Sequence, residues 1–538
     1  MLEPCEESRP GGDAVPFSQC NLWHAQRRFY QEQGVLAWNG KVPYQSTCNP
    51  VIANAYAHLI VRFLQDQARS GREVNRPVFL LELGSGPGLF GFYVVKRLLA
   101  LLDSLGLDEL AFVYVMSDFS ERNIAFWRDH PALQDFVARG LLDFARYDIG
   151  TSRSIELLES GVVLEPAGGI GSPLIVLANY VFDTLPQDAF RVEGGRLFEG
   201  KTRGLPEGAA LPELDNAPFS LEQLGISLEL HEARLPHYSD AVLDGILERY
   251  RETLPDQGFL FPRATLLGLR DLLEIAGGHL LLVATDKANA SHPPKISAET
   301  PDLVLHHASF SMMVNFHALG EYFAARGGFA IHQPSIQAIT TSVFCLGTPA
   351  ADLVETKAAI ATFLHELGPA DLNTAISQLQ LAVSDGAPEG LMALLNLAQW
   401  DPATVNLHLN QIVAVAKTAN ADLSRSLAEG IRKYAEHFYY LPDAESALAN
   451  AGIVFQEMRD YRAALDYYQR SLDSFGAEPA DLYANTLYNM GLCHYYLGER
   501  GKALESFRHA DKAAPQKDMM AKGWIYHLTV ECSEDGGG

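Results

Sequence analysis

The sequence predicts an α/β protein: a Rossmann-like, doubly wound sheet of seven strands in its front two-thirds, with an all-α helical array behind it. Three observations carry this prediction. Short apolar runs recur at 78–81, 112–116, 142–147, 174–178 and 279–286, and most run into an acid, an asparagine or a glycine. Such runs suit strands buried on both faces of a parallel sheet. Segments at helical spacing separate them, as parallel crossovers require. Beyond Pro349 the strand signal stops, and alanine- and leucine-rich segments take over.

The first run passes into Glu82-Leu-Gly-Ser-Gly-Pro-Gly-Leu-Phe-Gly91, and a helix follows over 89–105. Gly84, Gly86 and Gly88 allow a sharp turn and a backbone pressed against a ligand where a Cβ would collide. Gly86, Gly88 and Gly91 also spell the dinucleotide fingerprint G-x-G-x-x-G. In that fingerprint the first glycine closes the turn directly after the strand, whereas here the turn begins at Gly84. Read from Glu82 as E-x-G-x-G-x-G, the same residues resemble motif I of class I S-adenosylmethionine (SAM) methyltransferases. SAM carries an ammonium and a sulfonium and no phosphate, so an acid beside the loop is favoured and the helix N-terminus has no pyrophosphate to grip.

The second run leads to Asp118-Phe119, before a helix that starts near Glu121. An acid there can accept both ribose hydroxyls, in NAD and SAM sites alike, or simply cap the helix. Its distance from the glycines exceeds the ~20 residues usual for dinucleotide folds. The third run ends at Asp148, where SAM enzymes accept the adenine amino group. The candidate cofactor set is therefore Glu82, Gly84, Ser85, Gly86, Gly88, Asp118, Phe119, Asp148 and Asn179, with S-adenosylmethionine bound and S-adenosylhomocysteine released.

The fourth run continues into Asn179-Tyr-Val-Phe-Asp-Thr-Leu-Pro186. Ligands of open α/β sheets sit outside the carboxyl ends of strands. Aromatic faces at Tyr180 and Phe182 could attract a sulfonium. Asn179 could orient a nucleophile, and Asp183 could pair with a cation or take a proton. The alternative is that Asn179 and Asp183 only bond their own turn.

Residues Asn179 to Pro186 resemble the N-E-x-x-D-A-L-P segment of the MidA-like methyltransferases, the family of the mitochondrial complex I assembly factor. Val42 to Ala57 resembles that family's N-terminal gate. Val314-Asn315-Phe316-His-Ala-Leu319, followed by Gly327-Gly328 and Gln337, resembles its V-D-F-x-x-L element and closing segments. The likeness spans roughly residues 35–348. It implies a class I fold and N-methylation of a protein side chain, with arginine as the expected residue. Catalytic candidates are then Asn179, Asp183, Tyr180 and Tyr44, the two tyrosines walling the methyl channel. Tyr180 stands where the family has glutamate, and Asn315 where it has aspartate. A guanidinium binds best to a carboxylate fork, so these losses count against arginine.

Residues 262–275 read as a helix with proline in its first turn. The runs at 329–331 and 340–346 suit a closing antiparallel pair. Residues 201–262 interrupt the doubly wound order and are read as a substrate lid. His306-His307 share no metal spacing, and neighbours on a strand face opposite ways; they are read as structural or substrate-facing. The six cysteines form no disulfide or metal pattern, which suggests a reducing compartment.

In the C-terminal part, Gly491, Gly498, Ala503, Phe507, Ala510 and Pro515 fall on the tetratricopeptide (TPR) pattern, and Gly452, Tyr461, Ala464 and Tyr468 begin an earlier copy. The leading glycines lie 39 residues apart, against a usual ~34, which places an insertion over 475–480. Residues 356–440 read as degenerate pairs of the same solenoid, with Trp400 and Phe438-Tyr439-Tyr440 as core. Such an array offers a concave surface to a protein or peptide substrate or to a partner. Its other use is oligomerisation, which would give a homodimer.

Composition bounds the rest. A net charge of −25 in 538 residues argues against nucleic acid, since phosphate contacts need clustered lysine and arginine. The acidic N-terminus lacks signal or transit character, and no run approaches the ~18 apolar residues of a membrane span; a cytoplasmic location is expected. The expected layout is a helical cap at 1–76, a SAM-binding catalytic domain at 77–200 and 263–348, a lid at 201–262, degenerate helical pairs at 349–440, TPR repeats at 441–530 and a disordered tail at 531–538. The expected activity is methyl transfer to a protein or peptide side chain. The rivals are a small-molecule methyltransferase with a TPR docking arm and a non-catalytic SAM-binding scaffold.

Overall fold

The computed structural model describes residues 13–534 except 40, 43, 72–76, 108–109, 167–169, 207–210, 293–301, 334–337, 367, 384–387, 443–445, 476–479 and 515–518. Pro43, Gln337, Pro515, most of the inter-repeat insertion and the last four residues of the expected tail thus lie outside the described residues. The chain separates into two compact units, 1–374 and 375–538.

Seven strands form the central sheet of the first unit: β1 (Val78–Leu83), β2 (Phe112–Asp118), β3 (Leu142–Arg146), β4 (Leu174–Asn179), β5 (Leu280–Asn289), β6 (Phe329–His332) and β7 (Ile339–Leu346). Their spatial order is 3-2-1-4-5-7-6, with the two-residue strand Val314–Asn315 added beside β5. β1 to β5 run parallel, while β7 is antiparallel to both β5 and β6. β1 is buried along its whole length, which explains why it reads as an unbroken apolar run rather than an alternating one. The strand order reverses between β1 and β4, so their carboxyl ends open a crevice between them.

Two further sheets stand where a lid was expected. Asp188–Glu193, Arg196–Thr202, Gln257–Phe261 and Glu229–Glu232 join Val15–Pro16 in a five-stranded antiparallel sheet. Leu214–Ser220, Asp302–His307 and Ser309–Met312 make a three-stranded one. The boundary expected at 200 therefore falls inside a strand, and 201–262 is no separate lid. Its strands take their hydrogen-bond partners from both ends of the unit: Val15 pairs with Thr202, and Leu305 pairs with Ala217. A core of Phe17, Leu22, Trp23, Leu260, Leu305 and Phe310 joins these sheets to α1 (Asn21–Gln33).

The boundary expected at 349 also moves. Helix Val354–Ala359 belongs to the first unit, docked on α2 (Pro50–Arg69). Buried Asp66 accepts from Thr356 N and Thr356 Oγ1, each at 2.8 Å, and Arg69 pairs with Glu355 at 2.8 Å. The carboxylate satisfies donors that a helix start leaves unpaired.

In the second unit, helices Ala447–Glu457 and Tyr461–Phe475 pack as a pair, as do Ala480–Tyr496 and Arg500–Ala513. A Cβ at Gly452 would lie 2.5 Å from the Tyr468 ring, and one at Gly491 would lie 2.6 Å from Phe507. Each glycine thus admits the aromatic of its partner helix. Upstream, Trp400 is buried among Leu391, Leu395 and Ile431, with Tyr439 also buried and Phe438 and Tyr440 half-buried.

Candidate functional site

The crevice opens into a cavity of about 1370 Å³ in the first unit. One end is the turn after β1. Gly84, Gly86 and Gly88 adopt φ of 60°, 53° and 80°, the left-handed region that glycine enters without strain. A side chain at 86 would strike Trp38, at 2.8 Å from its ring. Gly91, on α3 (Leu89–Leu105), has another task. Its missing Cβ makes room for Tyr114 and for the Glu82 carboxylate, at 2.9 and 3.0 Å.

Two acids flank this turn. Glu82 is buried, burial pushes its carboxyl up to about 7, and its Oε2 has no hydrogen-bond partner. Asp118, at the end of β2, accepts from Gly86 N at 3.2 Å, Asn123 Nδ2 at 2.9 Å and Ser120 N at 2.9 Å. It therefore both ties down the glycine loop and serves the following helix, and it still lines the cavity. Burial raises its carboxyl despite these donors. Ser85 also lines the cavity; its Oγ accepts from Ser117 N at 3.2 Å, and its hydroxyl bonds the Glu82 carboxyl.

Phe119 and Asp148 also line the cavity, but both are engaged. Arg27 of α1 holds Asp148 in a bidentate pair, at 3.0 and 2.7 Å, and its guanidinium lies 4.4 Å over the Phe119 ring. Leu22, Trp23 and Gln26 bury the inner face of α1 and so bring Arg27 to Asp148, a partner 121 residues away.

At the other end, Asn179 closes β4. Its Oδ1 accepts from Tyr56 at 2.8 Å, while its Nδ2 is buried without a partner. Tyr180 follows with φ of 52°, a strained conformation for a bulky residue and of the kind that collects at functional sites. Tyr180 and Tyr44 both line the cavity, and Phe182 is buried in the core beneath. Asp183 lines the cavity, almost wholly buried, beside Asp286. The Phe182 and Asp183 amides donate to Asp286 Oδ2 at 2.8 and 3.3 Å. Burial lifts Asp183 to about 6, and burial plus the Asp183 charge lifts Asp286 well above the carboxylate range. Two adjacent carboxyls of this kind share a proton.

Asp286, Lys287, Trp38, Tyr30 and Arg27 are site residues that the sequence reading missed. Asp286 ends its apolar run on an acid, as Glu82 and Asp118 do, so the same rule would have found it. His306 lines the cavity, while His307 turns away at the end of its strand with φ of 52°. Asn315 is corrected. It caps helix Phe316–Ala325 through Ala318 N and donates to Leu260 O, and it does not line the cavity. Its replacement of an acid therefore says nothing about acceptor charge. Among the described residues no cluster of three metal-ligating side chains occurs, and no helix is long and apolar enough to cross a membrane.

The tetratricopeptide repeat family model matches residues 443–515, so this part of the second unit is a TPR region. No curated protein matches the chain. Two solved structures from Burkholderia thailandensis are similar to it. One, a methyl transferase candidate bound to S-adenosyl-homocysteine, is 13% identical with a TM-score of 0.37, over 60% of this chain and 75% of that one. The other, an uncharacterized protein of the same superfamily in its native form, is 12% identical with a TM-score of 0.36, over 64% of this chain and 90% of that one.

Proposed function

We propose that the cavity binds S-adenosylmethionine and that the protein transfers its methyl group to a side chain of a protein or peptide. One observation carries this reading. Three left-handed glycines follow a strand that carries buried Glu82, and Glu82 lines the same cavity as Asn179, whose Nδ2 is buried without a partner. Orphaned buried polar atoms are costly unless a ligand completes them. Glu82 suits the cationic groups of this donor, and a carboxylate there would repel a pyrophosphate.

Glycines 84, 86 and 88 with Glu82 and Asp118 would hold the donor, and Phe119 with Asp148 would meet its purine once Arg27 gives way. When bound, S-adenosylmethionine supplies a methyl group on a sulfonium. The chain's own residues do the rest. Asn179 orients the nucleophile, Asp183 takes its proton, and Tyr44, Tyr180 and Trp38 exclude water. The TPR region would present the protein or peptide. A small free acceptor is the second reading, favoured by a cavity lined wholly from residues 15–311 of the first unit. Calorimetric titration with S-adenosylhomocysteine and with NAD tests the donor: micromolar binding of the first and none of the second is expected, and the reverse ends the proposal.

A further inference from the structure

Lys287 reaches the cavity from β5, half-buried, one residue beyond Asp286. Its Nζ donates to Ser311 Oγ at 2.7 Å and meets His306 Nε2 at 3.2 Å. Both partners are neutral, because burial pulls the His306 imidazole down to about 4, and Ser311 Oγ in turn lies 3.1 Å from His306 Nε2. An ammonium has three hydrogens to give, and these contacts take at most two. Burial lowers the Lys287 ammonium from its ordinary value, while Asp183 and Asp286 favour it at longer range; among the described residues no carboxylate forms an ion pair with it. A half-buried cation without a contact anion is costly unless something arrives to complete it.

Candidate acceptors differ in how they meet this arrangement. A guanidinium or an ammonium would set a second cation against Lys287. A carboxylate would suit Lys287, but it adds charge beside Asp183 and has no proton for that residue to take. A phenol satisfies both groups, with an oxygen for Lys287 and a proton for Asp183. Its ring would lie among Tyr30, Trp38 and Phe310, which line the same cavity.

We infer that the methyl acceptor is a phenolic hydroxyl, its oxygen held at Lys287 and its proton directed to Asp183. This rests on the donor site proposed above. The phenol's O–H bond breaks and its proton passes to the Asp183 carboxylate. The oxygen forms a bond to the transferred carbon, whose bond to sulfur breaks with the electron pair returning to sulfur. The products are an aryl methyl ether and a thioether, and Asp183 then releases its proton to solvent. A tyrosyl side chain and a free phenol share this chemistry.

The test uses the full chain. A nitrophenol, coloured only as its phenolate, is added at a pH below its solution pKa in the presence of S-adenosylhomocysteine. Colour on binding is expected in the wild type and is lost in Lys287→Met. In parallel, radiolabelled donor is offered with a tyrosine peptide, a small free phenol and an arginine peptide. Label on a phenol supports the inference, and the better of the two phenols identifies the source. Lys287→Met should lower kcat about 10²-fold, the scale for losing one oxyanion donor, and Lys287→Arg should recover part of it. Unchanged S-adenosylhomocysteine affinity in both variants shows that they fold. Label on the arginine peptide, or donor binding with neither colour nor label on a phenol, overturns this inference and leaves the donor site standing. Failure to bind S-adenosylhomocysteine at all overturns both.

Discussion

Replacing Gly86 by alanine puts a methyl group where the glycine turn, the N-terminal segment and the backbone conformation all object. At φ of 53° an L-residue costs about 1–2 kcal/mol. The new Cβ would sit 2.8, 3.0 and 3.2 Å from three atoms of the Trp38 ring. That ring cannot retreat freely, because Tyr30 packs against it at 5.8 Å between centroids. Overpacking of this kind adds about 1–3 kcal/mol. The expected loss in stability is thus about 2–5 kcal/mol by urea unfolding. S-adenosylhomocysteine affinity should fall at least about tenfold, which needs only ~1.4 kcal/mol of disturbance in the turn. Trp38→Ala in the same chain removes the collision but not the conformational cost. The double-mutant cycle should therefore show about 1–3 kcal/mol of relief. An alanine variant that binds S-adenosylhomocysteine like the wild type would refute the assignment of this turn to the donor.

Asp183→Asn keeps the shape of the turn and both amide bonds to Asp286, so donor affinity should hold while turnover falls about 10²–10⁴-fold, the range for a lost general base; equal turnover would remove Asp183 from the chemistry. Glu82 makes donor affinity depend on pH. Its carboxyl titrates near 7 in the free protein, and a cationic donor favours the ionised form, so affinity should climb by up to tenfold per unit as pH rises toward about 7 and then level off. Calorimetry in buffers of different ionisation heat should detect proton release on binding. The same shift acts oppositely on folding. The folded carboxyl holds its proton more tightly than the unfolded one, whose ordinary value is 4.5. Its contribution to stability is therefore full below 4.5 and declines as pH rises through 7. In the TPR region, Gly491→Ala drives a Cβ to 2.6 Å from Phe507 and should cost about 1–3 kcal/mol in thermal unfolding, with Phe507→Leu restoring most of it.

Most of the central strands were readable because they are apolar runs punctuated by an acid, an asparagine or a glycine, and the punctuation is also where ligands lie. Glu82, Asp118, Asn179 and Asp183 are found this way, all lining one cavity. What stayed hidden depends on partners far along the chain. Arg27 occupies Asp148 and covers Phe119, a pairing no local pattern announces. The hairpin of Asp188–Glu193 and Arg196–Thr202 is local, turning at Gly194-Gly195, but Val15–Pro16 and Glu229–Glu232, which extend it into a sheet, come from far along the chain. Lys287 lies one residue past its apolar run, and only the fold brings Ser311 and His306 to it. The TPR glycines were legible for the opposite reason: each meets an aromatic only 16 residues ahead.

The hydroxyl of Tyr56 bonds Asn179 and, at 2.6 Å, Thr285, whose own hydroxyl continues to Thr341 at 2.9 Å. One phenol on α2 thus ties two neighbouring strands together, and Thr285 carries the link to a third. A trimmed version of this protein that starts at the first sheet strand would leave the asparagine amide unmoored and its rotamer undecided. The leading helices are in that sense a part of the machine's jig.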